Sequence, residues 1–254
     1  MPLHEMPIVQ DLPGAHVSAE MRRTDSLSDA ERTRMFALLD AYYLNAQRDQ
    51  FERDLAEKQW VMTLTRQRSR ELCGFSTLMR FDCVAQNVPI VALYSGDTVL
   101  ENDLWGGSSN LAITIVLRQM MAVAETCGAP AYWFMISSTY KSYRLLPHLF
   151  RTFAPRPGVA LSGKTVALLD ALVQRKFKKP FDPAGVTVSF SNPTMPREST
   201  ASPPAELLDD PFVRFFLEKN PRSDEGERLV SIAELRRFNL TKLGLRLLGN
   251  AAQP

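Results

Sequence analysis

Residues 89–137 constrain the fold more than any other stretch of the chain. Segment 89–100 (PIVALYSGDTVL) is rich in β-formers and holds one interior glycine, Gly96. A glycine inside a strand marks a bulge or a close approach of another backbone. The strand leads through 101–109, which ends in Trp105-Gly106-Gly107-Ser108-Ser109, into a long apolar helix reaching Cys127. Gly128 and Pro130 stop that helix, and 131–137 (AYWFMIS) is a second, fully apolar strand. Upstream, Ser28-Asp29-Ala30-Glu31 is a capping-box pattern followed by Met35, Phe36, Leu39, Tyr42 and Tyr43 at helical spacing, which predicts a helix over 28–45. A short helical piece over 51–58 precedes two β-rich runs, 60–65 and 72–79, separated by the charged run 66–71; this pattern reads as an antiparallel hairpin. Helices, a hairpin, then strand–helix–strand–helix define a mixed α/β domain.

The rest of the chain is less regular. Segment 139–150 reads as a helix containing Pro147, 162–177 as another helix, and 186–190 as a strand. Segment 191–211 holds five prolines among Ser and Thr, the composition of a loop. The stretch 232–248 reads as an amphipathic helix with Arg236, Arg237, Lys242 and Arg246 on its polar side. The expected organisation is an N-terminal segment (1–27), an α/β domain (28–190), the Pro/Ser-rich loop (191–211) and a C-terminal helical extension (212–254).

Composition removes several classes. With 254 residues, 45% of them hydrophobic, the chain can bury a core without staples, and intrinsic disorder is excluded for most of it. Cys73, Cys83 and Cys127 form no CxxC pair, which argues against a zinc ribbon or a disulfide framework and points to a reducing compartment. His4, His16 and His148 are far apart, so no metal centre is expected. The apolar run 111–117 is too short to span a bilayer, and 1–10 carries Glu5 and two prolines without an apolar h-region. A soluble, cytoplasmic protein without an integral membrane segment is expected, and no nucleic-acid partner. Net charge is +2, but 141–180 carries nine basic residues against the single acid Asp170. Such a run suits a phosphorylated partner or simply a solvated face.

Two stretches have phosphate-binding character. Gly158 to Thr165 (GVALSGKT) satisfies GxxxxGK[ST], the P-loop pattern of nucleotide triphosphatases. That motif follows a buried strand, whereas here Ala154-Pro155-Arg156-Pro157 precedes it, and proline lacks the N–H that a central strand donates. The sequence context therefore favours coincidence over a P-loop NTPase. The strand–glycine turn–helix unit around Gly106, Gly107, Ser108 and Ser109 has the better context: unpaired amides at a positive helix end form an anion site. An ordinary strand–helix connection is the alternative.

Helix, hairpin, bulged strand, glycine turn, long helix, apolar strand and further helix, in this order over about 30–155, resemble the GNAT (GCN5-related N-acetyltransferase) superfamily. YSGDTV (94–99), WGG (105–107), YWFMIS (132–137) and TYKSYRLLP (139–147) are similar to a subgroup of bacterial GNAT-like proteins, some of which attach long acyl chains to amines, including lysine-type side chains of small ribosomal peptides. The resemblance implies a mixed twisted sheet with a bulged central strand flanked by helices, plus a C-terminal extension. It implies direct transfer of an acyl group from a thioester to an amine, without a covalent enzyme intermediate. The donor is acyl-CoA or acetyl-CoA, or an acyl carrier protein; the acceptor is a small molecule or a peptide; no metal takes part. The alternative is a non-catalytic protein of this fold that binds an acyl group or coenzyme A. The family's pyrophosphate loop, Arg/Gln-x-x-Gly-x-Gly/Ala, falls on Asp103, Gly106 and Ser108. Gly106 matches, Asp103 replaces a base and Ser108 a small residue. A carboxylate there repels a pyrophosphate, so either Asp103 points away or the donor is held differently.

Within this reading, the phosphates fall to Trp105, Gly106, Gly107, Ser108 and Ser109. The backbone around Thr98 and Val99 falls to the oxyanion, as the resemblance implies. An alkylamine is mostly ammonium at neutral pH, its reference pKa being roughly 10.4, so a base is needed. Asp97, beside Gly96, is the best-placed carboxylate, or else a cap for the bend. The resemblance implies that the leaving thiolate takes its proton from a tyrosine on the helix after 131–137. Tyr140 and Tyr143 both lie there; Tyr143 is preferred because Pro147 cannot donate to its carbonyl, and a core aromatic is the alternative. The basic run, densest at Arg175-Lys176-Phe177-Lys178-Lys179, would dock a carrier protein or the 3′-phosphate of coenzyme A, or serve as surface.

Overall fold

A computed structural model of the chain describes residues 8–11, 16–104, 107–197 and 202–249. The segment before residue 28 contributes two strands, β1 (Ile8–Asp11) and β2 (Val17–Arg23). In β2, Val17, Ala19 and Met21 are buried while Ser18, Glu20 and Arg22 are half-buried, the period-2 alternation of a strand with one covered face. Helix α1 (Asp29–Tyr42) begins at a complete capping box: Glu31 N–H donates to Ser28 Oγ (3.3 Å) and Ser28 N–H to the Glu31 carboxylate (2.8 Å). Ser28→Ala is expected to cost about 0.5–2 kcal/mol, seen as a lower urea midpoint at unchanged slope.

After the short β3 (Tyr43–Leu44) and α2 (Arg48–Ala56), β4 (Trp60–Arg66) and β5 (Leu72–Ala85) form the expected antiparallel hairpin. A second hairpin joins β5 to β6 (Val88–Leu100) through Gln86 and Asn87, both at positive φ, as a tight right-twisted two-residue turn requires. Helix α3 (Gly107–Thr126) and β7 (Ala131–Ser137) complete the unit read from the sequence, with Gly128 at φ 70 ending the helix. The single helix expected over 139–150 is two, α4 (Tyr140–Tyr143) and α5 (Leu145–Leu149). The break falls where Pro147 has no N–H for the Tyr143 carbonyl. Helix α6 (Gly163–Phe177), capped by Ser162, leads to β8 (Phe181–Asp182) and β9 (Thr187–Ser189). In the Pro-rich loop, β10 (Met195–Pro196) pairs with β3. Helix α7 (Pro211–Lys219), β11 (Glu227–Glu234) and α8 (Lys242–Leu248) follow.

The helix expected over 232–248 is corrected in its first half: β11 inserts between β7 and β9, a single 3-10 turn covers Arg237–Asn239, and the α-helix is confined to 242–248. Leu229, Val230, Ser231, Ile232 and Ala233 are all buried. A strand covered on both faces shows no period of two, so its apolar run reads as readily as a helix.

The main sheet runs β1-β2-β4-β5-β6-β7-β11-β9-β8, with β6–β7 parallel and the other pairs antiparallel. This is a mixed α/β architecture, a largely antiparallel sheet with helices on both faces. Helices α1, α2 and α6 cover one face; α3, with α8 against it, covers the other. Phe75 and Val99 join Met35, Leu38, Phe51 and Leu55 under α1 and α2. Leu78, Leu93 and Trp133 belong to the larger core that includes Leu111, Ile115 and Met120 of α3.

Candidate active site at the bulge of β6

Two departures from regular pairing meet in the middle of the sheet. On the β5 side, Leu78 pairs with Ser95 and Ser76 with Thr98, so two residues of β6, Gly96 and Asp97, oppose the single residue Thr77. This is the bulge that Gly96 announced. On the other side, β6 and β7 pair only over Val91–Tyr94 and Ala131–Phe134. Beyond Tyr94, β6 has no strand on its β7 edge among the described residues, while β7 continues against β11. The two parallel strands thus open as a fork at the bulge, where the β6 main chain is not taken up by pairing with β7. Trp133 Nε1 donates to Ser95 Oγ (2.9 Å) at the base of the fork.

Gly96 is required by its neighbours. A Cβ there would lie 2.4 Å from Thr77 Oγ1 and 2.8 Å from Lys58 Cε. Lys58, immediately after α2, is buried at 6% exposure, and its ammonium donates to the Asp54 carbonyl (3.0 Å) and stands 5.5 Å above the Tyr94 ring. Asp97 is half-buried on this side of the sheet; burial holds its carboxyl above the ordinary carboxylate value, with Lys58 pulling it down and Asp54 pushing it up. Burial and the nearby Lys176 in turn push the Lys58 ammonium down. Lys176 of α6 pairs with Glu57. Tyr43, pushed up to about 12 by burial and by Asp97, and Tyr94, raised in the same way, keep their phenols neutral. Arg228 of β11, buried and pushed down to about 10 by desolvation, donates to the carbonyls of Ser223, Glu227 and Thr194. A carboxylate of raised affinity for protons, beside Lys58 and two neutral phenols, can take up a proton.

The other residues singled out from sequence fall as follows. Thr98 is exposed and its hydroxyl meets Ser76 Oγ at 2.7 Å, whereas the Val99 side chain is buried under α1 and α2. Gly107, Ser108 and Ser109 form the first turn of α3, while Trp105 and Gly106 lie outside the described residues. Asp103, the acid where the family pattern has a base, is neutralised: Arg66 Nη2 donates to both its oxygens (3.0 and 2.9 Å) and to Glu101, which also takes Arg34 (2.7 Å). Tyr140 is buried at the start of α4, and burial raises its phenol. Tyr143 is a core aromatic: its ring stacks on Phe215 (5.8 Å between centroids), and its hydroxyl donates to the Pro155 carbonyl (2.8 Å). The GVALSGKT stretch has no strand before it, only the bridges Ala154–Ile232 and Arg156–Val159, and Ser162 Oγ takes the Thr165 amide. The sequence assigns no functional role to Lys58, Arg228 or Tyr43, the last of which lies in β3 rather than on the helix expected over 28–45. Each comes from a different element, and no local pattern ties them to Asp97.

A bulged strand forking from a parallel neighbour ahead of a long helix is the arrangement that the sequence resemblance to the GNAT superfamily leads one to expect. No family model matches the sequence, and no curated protein matches it. Similar folds among solved structures are acetyltransferases and acyltransferases by name. One is a probable N-acyltransferase from Enterococcus faecalis V583 (16% identity, 53% of this chain, 33% of that one, TM-score 0.40). Another is a GCN5-related N-acetyltransferase from Sphaerobacter thermophilus (12% identity, 89% and 98%, TM-score 0.40). A third is the Saccharomyces cerevisiae N-myristoyltransferase with bound myristoyl-CoA (12% identity, 97% and 56%, TM-score 0.40). The chain thus spans about a third of the Enterococcus protein's length.

Proposed function

We propose that the protein is an N-acyltransferase that moves an acyl group from a thioester to an amine by direct attack. The observation that carries this reading is the coincidence of the β6–β7 fork with the Gly96–Asp97 bulge, whose half-buried carboxylate has a raised pKa. The thioester enters the fork with its phosphates at the first turn of α3, where unpaired amides and the helix dipole favour an anion. The acceptor ammonium comes from the α2–α6 side and gives a proton to Asp97, directly or through water. The amine then attacks the thioester carbonyl, and the backbone around Thr98 and Val99 holds the oxyanion. Tyr140 is the preferred donor of a proton to the leaving thiolate, since the Tyr143 hydroxyl is committed to Pro155.

The two tyrosines separate by mutation. Tyr140→Phe is expected to lower kcat with little change in KM. Tyr143→Phe is expected to spare kcat and lower stability by about 1–3 kcal/mol, because the buried Pro155 carbonyl loses its donor. Steady-state kinetics and thermal denaturation of both variants decide between them.

The donor is an acyl-CoA or an acyl group on a carrier protein. The basic run is partly used within the fold: Lys176 holds Glu57 and Arg144 holds Asp210. The docking role therefore falls to Arg175, Lys178 and Lys179. Changing these three to Glu is expected to raise KM for a carrier-linked donor several-fold, most at low ionic strength. An unchanged KM for both carrier-linked and free coenzyme donors removes docking from the account. The reading as a whole is tested by incubating the purified protein with acetyl-CoA or decanoyl-CoA and a panel of amines. Release of free thiol with matching amide supports it; no release from any donor overturns it.

A further inference from the structure

The fold presents an amine of its own to the bulge. Lys58 runs across Gly96 with its Cε 2.8 Å from the place a Cβ would occupy and its Nζ 3.7 Å from that place. The side chain is buried, and the one hydrogen bond its ammonium makes among the described residues goes to a neutral acceptor, the Asp54 carbonyl. No carboxylate forms an ion pair with it among those residues, whereas the neighbouring Lys176 is held by Glu57. The Thr77 hydroxyl, 2% exposed and 2.4 Å from the same Gly96 position, has no hydrogen-bond partner among the described residues. A buried hydroxyl left unsatisfied is costly and marks a place where a polar group fits.

Resting on the acyltransferase reading, we propose that Lys58 is itself an acyl acceptor: its Nζ is acylated in cis by the thioester bound in the fork. The Lys58 ammonium gives one proton to Asp97, and the free amine forms the C–N bond as the C–S bond of the thioester breaks. The thiolate leaves and takes up one proton. One thioester and one lysine thereby become one amide and one thiol, with no oxidant or further reactant. Burial and Lys176 favour the neutral amine that the step needs. Acylation removes the positive charge beside Asp97 and places the acyl group against the ring of Tyr94, which packs with Phe134 and Phe177. The modified chain has its acceptor side filled, so the reaction is self-limiting.

The test is intact-protein and peptide mass spectrometry after incubation with acetyl-CoA or decanoyl-CoA and no added amine. One acyl increment per chain on Lys58, with about one equivalent of thiol, is expected. Lys58→Arg should lose the increment and Asp97→Asn should slow it at least tenfold, while Lys242→Arg, at an exposed lysine of α8, retains it. Should Lys58→Arg fold poorly, the peptide map of the unaltered chain still decides. Lys58 remaining unmodified in a preparation that acylates added amines overturns this proposal alone. So does acylation spread over exposed lysines at the same rate in Lys58→Arg. Absence of thiol release with or without amines overturns both this proposal and the acyltransferase reading.

Discussion

Asp97→Asn lowers kcat/KM for amine acylation by about 10²–10⁴-fold, the range expected when a general base is removed, and does not destabilise the protein. The two halves of this result have one cause. Burial holds the Asp97 carboxyl above its ordinary value, so the folded state prefers the protonated form. For such a group, stability is fully present below the unfolded carboxylate pKa and is lost as pH rises through the higher folded value. At neutral pH the ionised carboxylate is therefore a cost to the fold, and Asn removes it. Thermal midpoints measured from about pH 4 to 8 should show a shallower decline with rising pH for Asp97→Asn than for the native chain. A residue retained at a site it destabilises fits a catalytic role. A capping role would give the reverse, a loss of stability with activity intact.

Gly96→Ala is the second large effect, expected to reduce both stability and activity. The added methyl meets Thr77 Oγ1 at 2.4 Å and Lys58 Cε at 2.8 Å. Thr77 is stiff at χ1 and buried within β5, so the relief must come from Lys58 or from the bulge itself. Overpacking of this kind costs about 1–3 kcal/mol. Moving the bulge also moves Asp97 and the fork-side backbone, and small misplacements of reacting groups can cost about 10²-fold in rate. Thermal denaturation with kcat measurement on the same preparation separates a folding loss from a catalytic one: kcat per folded molecule should itself fall.

The sequence carries the centre of this site because its signals there are local. A glycine within a β-rich run marked the bulge, the capping box marked α1, and Gly128 with Pro130 ended α3; each depends on a few adjacent residues. The pieces that were not legible depend on distant residues. The apolar run of β11 looks like a helix until β7 and β9 are seen on its two edges. β2 alternates over only seven residues and takes its place through pairing with β1 and β4, so 1–27 reads from sequence as a separate segment. Lys58 gave no signal of its own, since a lysine following a helix is ordinary. Its role comes from the bulge that brings Gly96 and Thr77 against it. Pro147 points from sequence to Tyr143 over Tyr140, and the helix does break there. The aromatic stack with Phe215 and the bond to Pro155, both contributed by later segments, set what its ring and hydroxyl do.

The central claim is that the forked, bulged strand transfers an acyl group rather than merely holding one. The most direct measurement follows free thiol and amide product together when purified protein is given acyl-CoA with an amine panel. Binding is monitored in parallel by the thermal shift that coenzyme A produces. Thiol and amide rising in equal amounts, at a rate that Asp97→Asn cuts by about a hundredfold or more, is the predicted result. A thermal shift with coenzyme A but no amide from any donor–amine pair would contradict the claim and leave a binding protein of the same fold.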